Sequence, residues 1–276
     1  MRVIFFGTSA FAVPSLEGLL AQGHAVVSCI TQPDRRSGRG LVPEPSPVKQ
    51  AAVRLRLPLL QPQRPQRDLV VGAGAEIGVV AAYGELLSAD LLALPTHGMV
   101  GVHPSLLPAY RGAAPVAWAI LNGERQTGVT IFRLNERLDA GEILTQRRTP
   151  IELVEDAQRL TDRLARLGAE ALIEGLKAIA VGTARWTPQE EARASAAPKL
   201  TKADGVIRWD EPAEAIVRRI RAMVPWPGAV TTQQGTSLKL WRASVTADTP
   251  GSAPGTVQPR GPVAGRVVLL AKEEQA

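Results

Sequence analysis

His103 and Asp139 are the residues whose types and surroundings best suit chemistry. His103 lies in V-G-V-H-P-S-L-L-P-A-Y-R-G-A-A-P, which begins at Val100, and Asp139 in R-L-D-A-G-E. An imidazole on the loop that leaves an apolar strand can protonate or stabilise an oxyanion near neutral pH. A carboxylate delivered beside it by a second strand would orient the ring and stabilise the imidazolium. A lone loop histidine also serves as a simple cap for backbone groups, so residue type alone does not decide between these roles. Metal chemistry is not expected. His24, His97 and His103 show no ligand spacing, and Cys29 as the single cysteine supports neither a cysteine-built zinc site nor an internal disulfide.

The surrounding pattern predicts elements able to bring these two groups together. Residues 3–6 form an apolar run before Gly7, Leu16, Leu19 and Leu20 follow at helical spacing with Gly23 as a stop, and 25–30 reads as a second strand. Further strands are expected at 77–82, 99–102, 128–132 and 143–146, and a long amphipathic helix at 156–180. This alternation predicts an α/β fold, a Rossmann-like doubly wound sheet over residues 1–187, with its binding crevice at the carboxyl ends of the strands. Residues 188–203 read as a linker. Beyond them a strand at 205–209, a helix at 213–223 and short strand candidates from 229 to 270 predict a small OB-like β-barrel over 204–276. The glycines at 72, 74 and 78 do not satisfy a dinucleotide fingerprint and read as a loop. Trp209, Trp226 and Trp241 read as packing residues.

At 276 residues, 45% of them hydrophobic, the chain can bury a substantial core. No apolar run is long enough to span a bilayer, and the start lacks a signal-peptide cleavage region, so a cytoplasmic protein is expected, with no membrane partner. Nothing in the sequence demands more than a monomer. The net charge is +6, of which +4 falls from Lys199 onward. A polyanionic partner is one reading of that charge. Arg35, Arg36 and Arg39, on a glycine-flanked loop, suit phosphate neutralisation or stacking on unpaired bases, although a solvated surface loop has the same composition. Arg218, Arg219 and Arg221 on the later helix extend the basic character.

Six segments of the first 187 residues together resemble the folate-dependent formyltransferase family: G-T-S-A-F-A at Gly7, Q-P-D-R-R-S-G-R-G at Gln32, A-A-Y-G-E-L-L at Ala81, H-P-S-L-L-P-A-Y-R-G-A-A-P at His103, T-G-V-T-I at Thr127 and L-D-A-G-E at Leu138. Later, K-L-T-K-A-D-G-V-I-R-W at Lys199 and R-A-M-V-P-W-P-G at Arg221 extend the resemblance over nearly the whole chain. It implies transfer of a formyl group from 10-formyltetrahydrofolate to an amine. The arginine loop and P-W-P-G favour the α-amino group of initiator methionyl-tRNA as acceptor. A small amine such as an amino sugar is the alternative. The resemblance implies that His103 and Asp139 are catalytic, that Ser105, Leu106, Leu107 and Pro108 contact folate with Tyr83 and Gly84 beside the pterin, and that Arg35, Arg36 and Arg39 meet tRNA.

The family carries an asparagine two residues before its histidine, where this chain has Gly101. Loss of such an oxyanion donor costs about 10²–10³ in rate. The expectations are a slowed enzyme, a substitute donor such as Asn135, or a catalytically impaired relative that binds tRNA or folate. Restoring the asparagine is expected to accelerate transfer. Family members also continue past the last strand here, so the barrel is expected to be incomplete.

Overall fold

The apolar runs before His103 become parallel strands of one sheet. In this computed structural model the structure describes residues 1–37, 42–245, 257–259 and 267–269. Strand β1 (Arg2–Gly7), helix α1 (Val13–Ala21) and β2 (Ala25–Ile30) open the chain. Pro14 fits the first turn of α1, where its missing N–H is no loss, and Gly23 ends the turn at φ +74°. A ribbon of β3 (Arg35–Ser37) and β4 (Val42–Glu44) leads into α2 (Pro47–Arg54), capped by the Ser46 hydroxyl accepting from the Lys49 N–H at 3.1 Å. There follow β5 (Leu59–Leu60), α3 (Arg67–Ala73), β6 (Ile77–Ala81), α4 (Ala89–Leu92), β7 (Met99–His103), β8 (Arg111–Gly112) and α5 (Pro115–Leu121). Then come β9 (Gln126–Arg133), β10 (Ile143–Pro150) and α6 (Ala157–Ala180).

Among the described residues the main sheet has the order β10-β9-β7-β6-β1-β2-β5. β5, β2, β1, β6 and β7 run parallel, β9 is antiparallel to β7, and β10 is antiparallel to β9. The chain steps from β1 outward to β2 and β5, then crosses back to β6 and β7 on the other side. With right-handed crossovers that reversal is the doubly wound arrangement. Every residue of β7 is buried, between β6 and β9, so His103 is delivered at the carboxyl end of an interior strand. The glycines expected as a loop are partly helical instead. Gly72 sits in the last turn of α3, and Gly74 caps it at φ +56°.

The segment expected as a linker is built into secondary structure. Residues Glu191–Arg193 form a 3-10 turn, and β11 (Ala196–Ala197) pairs in parallel with β8. The strand expected at 205–209 is replaced by a 3-10 turn at Lys202–Gly205, closed by a capping box of Thr201 and Asp204, and an isolated bridge between Val206 and Val230.

The chain divides into two units. One comprises Met1–Pro115, Gln126–Pro150 and Thr161–Pro198, and the other Val116–Arg125, Ile151–Leu160 and Lys199–Ala276. The second unit contains α7 (Ala213–Ala222) and a hairpin of β12 (Ala229–Gln233) and β13 (Thr236–Leu240), whose turn residues Gln234 and Gly235 both take positive φ. β14 (Val257–Pro259) and β15 (Val267–Leu269) form another antiparallel pair. The expected open end of the barrel, beyond residue 269, lies outside the described residues. Trp226 and Trp241, expected as packing residues, are about half exposed, at 51% and 54%. Trp209 is half-buried and donates its indole N–H to the Thr231 hydroxyl at 2.8 Å.

Candidate active site

The two residues singled out by their chemistry meet. His103 Nδ1 lies 3.6 Å from Asp139 Oδ2, and both side chains are largely buried. The other ring nitrogen, Nε2, donates to the Tyr110 carbonyl at 2.8 Å. A carbonyl can only accept, so Nε2 carries the proton and Nδ1 is the nitrogen that faces the carboxylate. Asp139 Oδ2 also accepts from the Gly112 N–H at 2.8 Å. Both partners of the ring stand on unusual backbone, Tyr110 at φ +62° and Asp139 at φ +48°. Non-glycine residues persist there only where the surroundings over-determine them.

The loop between His103 and Tyr110 is latched from the neighbouring strands. Thr130, fully buried on β9, donates its hydroxyl to the Ser105 carbonyl at 2.7 Å. The same oxygen accepts from the Leu107 N–H at 3.1 Å and from Gln146 Nε2 at 2.9 Å. Gln146 Nε2 further donates to the Leu107 carbonyl at 2.8 Å. The Ser105 hydroxyl donates to the Ala109 carbonyl at 2.6 Å. The backbone groups of this loop are thus largely bonded within the protein. Ser105 and Leu107 are buried, whereas Leu106 and Pro108 remain half-buried and present apolar surface.

The remaining expected site residues are distributed differently. Tyr83 is 2% exposed, and its ring meets Phe6 edge-on at 5.5 Å inside a core cluster with Ile4, Ile30 and Met99. Burial, with Glu85 nearby, pushes its phenol up to about 12. Its ring is therefore a core element. Gly84 is exposed at φ +89°, with the Gln32 amide lying against it. Arg35 and Arg36 lie on β3, their backbones opposite Glu44 and Pro43, while Arg39 lies outside the described residues. The base of that ribbon is anchored by Asp34, which accepts from Lys49 at 2.6 Å and Gln61 at 2.8 Å; these bonds hold its carboxyl below the ordinary value.

The basic helix of the second unit is committed to its own fold. Arg219 forks onto Glu211 at 2.9 and 3.0 Å and donates to the Asp204 carbonyl at 3.0 Å. Arg221 donates to the carbonyls of Glu152 and Glu155, each at 3.0 Å, and Arg218 to that of Leu121 at 3.3 Å. The three guanidiniums, expected to extend the basic character of the chain, are thus bonded within the protein.

Residues 1–176 match the family described as formyl transferase, and residues 199–273 match the formyl transferase C-terminal domain. The chain belongs to the formyl transferase family. It is 44% identical over 261 residues to the methionyl-tRNA formyltransferase of Solibacter usitatus, covering 93% of this chain and 84% of that protein. It is 47% identical over 259 residues to the methionyl-tRNA formyltransferase of Roseiflexus castenholzii, covering 92% and 83%. The fold is similar to that of the N-formyltransferase of Helicobacter canadensis in complex with folinic acid and dTDP-3-aminofucose, with TM-score 0.73, 17% identity and coverage of 94% and 93%. It also resembles HypX from Aquifex aeolicus in complex with tetrahydrofolic acid, with TM-score 0.67, 19% identity and coverage of 93% of this chain and 40% of that one.

In this formyl transferase, Gly101 is buried beneath Phe132. A Cβ at residue 101 would stand 2.5 Å from Phe132 Cε1 and 2.8 Å from Cζ. The same ring meets His103 edge-on, with centroids 6.4 Å apart. The volume an asparagine would need is occupied, so the expected acceleration by Gly101→Asn does not follow from this packing. Asn135, the expected substitute donor, accepts at its side-chain oxygen from the Arg137 N–H at 3.0 Å and lines a groove of about 840 Å³ with His97, Met99 and Trp186. Thr130, Gln146, Tyr110, Phe132, Arg111 and Gln189 were not singled out by sequence reasoning. The available signals were the H-P-S-L-L-P-A-Y-R-G segment, which contains Tyr110 and Arg111, and Thr130 as a polar residue within an apolar strand pattern.

Proposed function

We propose that this formyl transferase moves the formyl group of 10-formyltetrahydrofolate to the α-amino group of methionine on initiator tRNA, acting in the cytoplasm as a monomer. The observation that carries the chemistry is the approach of His103 Nδ1 to Asp139 at 3.6 Å, with Nε2 already engaged by Tyr110. The amine nitrogen attacks the formyl carbon and a C–N bond forms. Protonated at Nδ1, the ring donates to the oxygen as it becomes anionic. Asp139 holds the imidazolium and accepts the proton that the amine loses. The bond from the formyl carbon to N10 then breaks as the proton taken up by Asp139 passes to N10, and tetrahydrofolate leaves with the formylated amine behind it. In a largely buried pair these charges act more strongly than in water.

The half-buried side chains of Leu106 and Pro108 supply apolar contact for the folate, with Ser105 and Leu107 supporting them from beneath, and Gly84 allows close approach. Arg35, Arg36 and Arg39 supply the contacts to the tRNA. Identity of 42–47% to methionyl-tRNA formyltransferases, against 17% to the sugar-modifying neighbour, favours tRNA over an amino sugar.

The test is single-turnover formyl transfer to charged initiator tRNA. His103→Ala and Asp139→Asn are expected to slow it by about 10²–10⁴-fold without unfolding the protein. Transfer to a nucleotide-linked amino sugar, with none to tRNA, would overturn the acceptor. Undiminished rates in both variants would overturn the assignment of the pair.

A further inference from the structure

The segment that follows α6 fastens the Asp139 loop through one side chain. Gln189 Nε2 donates to the Asp139 carbonyl at 2.8 Å and to the Gly141 carbonyl at 2.7 Å. Gln189 Oε1 accepts from Arg111 Nε at 3.0 Å and Nη2 at 2.7 Å. Two donors and two acceptor positions are all that a carboxamide has, and all four are used. Arg111 also forks onto Glu191 at 3.0 and 3.1 Å, and Glu191 reaches Arg137 at 3.1 Å. The Glu191 carboxyl is held below its ordinary value, first by the hydrogen bond from Arg111.

This bridge joins the two pieces of backbone that aim the carboxylate. Arg111 opens β8, and the next residue, Gly112, supplies the N–H that binds Asp139 Oδ2. β8 is itself held by β11, in the register Arg111 with Ala196 and Gly112 with Ala197. At the other end Gln189 grips the carbonyl of Asp139, a residue at φ +48°. A left-handed aspartate returns to ordinary backbone unless its peptide groups are pinned. The pinning atoms come from Gln189.

We propose that Gln189 is a positioning residue. With Arg111 it locks the Asp139 loop so that the carboxylate faces His103 Nδ1. The proposal rests on reading His103 and Asp139 as the proton-handling pair. The amide is required in both senses, because only a carboxamide donates to two carbonyls while accepting from a guanidinium.

Gln189→Glu separates these roles. The carboxylate still accepts from Arg111, but it has no proton for the carbonyls of Asp139 and Gly141. The expected result is a fall in kcat for formyl transfer to charged initiator tRNA of about 10–100-fold, the scale of a misplaced catalytic group. KM for each substrate is expected to stay within about twofold, and Tm close to the parent. Hydrogen exchange at the Gly112 amide is expected to accelerate, since the Asp139 carboxylate no longer holds it. An unchanged kcat with Gly112 as protected as in the parent would overturn the proposal. So would a loss of kcat accompanied by a collapsed Tm and faster exchange throughout the main sheet, which would make Gln189 a support of the fold. A parent protein that transfers no formyl group to charged tRNA would sink the functional reading instead, and Gly112 exchange in the variant would still decide the role of Gln189.

Discussion

The ring of Phe132 fills the space beside Gly101 in which any side chain would have to lie, and its edge faces His103. A Cβ contact at 2.5 Å to a ring that is 2% exposed leaves little room to yield. Overpacking of this kind costs about 1–3 kcal/mol. Gly101→Asn alone is therefore expected to lower stability by that amount and to leave formyl transfer no faster. Phe132→Leu shortens the obstructing ring, so the pair should be coupled. The doubly substituted protein is expected to be more stable than the sum of the single effects by about 1–3 kcal/mol in a urea-unfolding cycle. Strict additivity would show that Phe132 does not confine residue 101. At this scale the sequence displayed the meeting of His103 with Asp139, because their flanking segments are distinctive. It did not display Phe132, because an apolar residue inside an apolar strand looks like any other core position.

The loop after β7 owes its shape to the two strands beside it. One hydroxyl, that of Thr130, donates to Ser105 and accepts from Leu107 and Gln146. Thr130→Val keeps the volume and removes all three bonds. A buried polar group left without a partner costs about 1–3 kcal/mol. The expected loss is thus about 2–3 kcal/mol by urea unfolding, with faster hydrogen exchange at the Leu107 amide and slower formyl transfer. Equal stability and an equally protected Leu107 would mean that the loop is held by its own residues. Strands such as β6 and β7 were legible because continuous apolar runs bury both faces. The contribution of residues 188–198 was not, since β11 is two alanines long and Gln189 works through polar bonds that leave no period in the sequence.

Over the molecule as a whole, positive charge is not the same as available charge. The chain carries +6, concentrated after Lys199, and its composition invites a broad phosphate-binding face. Yet Arg219 is only 18% exposed and is shared between Glu211 and the Asp204 carbonyl, while Arg221 binds the carbonyls of Glu152 and Glu155. Both tie α7 into the second unit, which draws in residues from 116–125 and 151–160 as well as the carboxyl-terminal third. That interleaving was invisible in a linear reading, because it depends on contacts between segments far apart in sequence. Removing a phosphate contact flattens the dependence of log K on log salt for tRNA binding by about 0.7–0.9 per contact. Arg219→Ala is expected to leave that slope unchanged and to lower stability by about 1–3 kcal/mol, because it strips a charged, mostly buried carboxylate of both its short hydrogen bonds and leaves it only Arg208 at 3.9 Å. Arg39→Ala, on the loop whose composition suits RNA, is expected to do the reverse, flattening the slope while Tm holds. The two variants therefore separate guanidiniums that build the protein from those that meet its partner. A flattened slope with undisturbed stability for Arg219→Ala would place that side chain on phosphate in the complex and overturn the division.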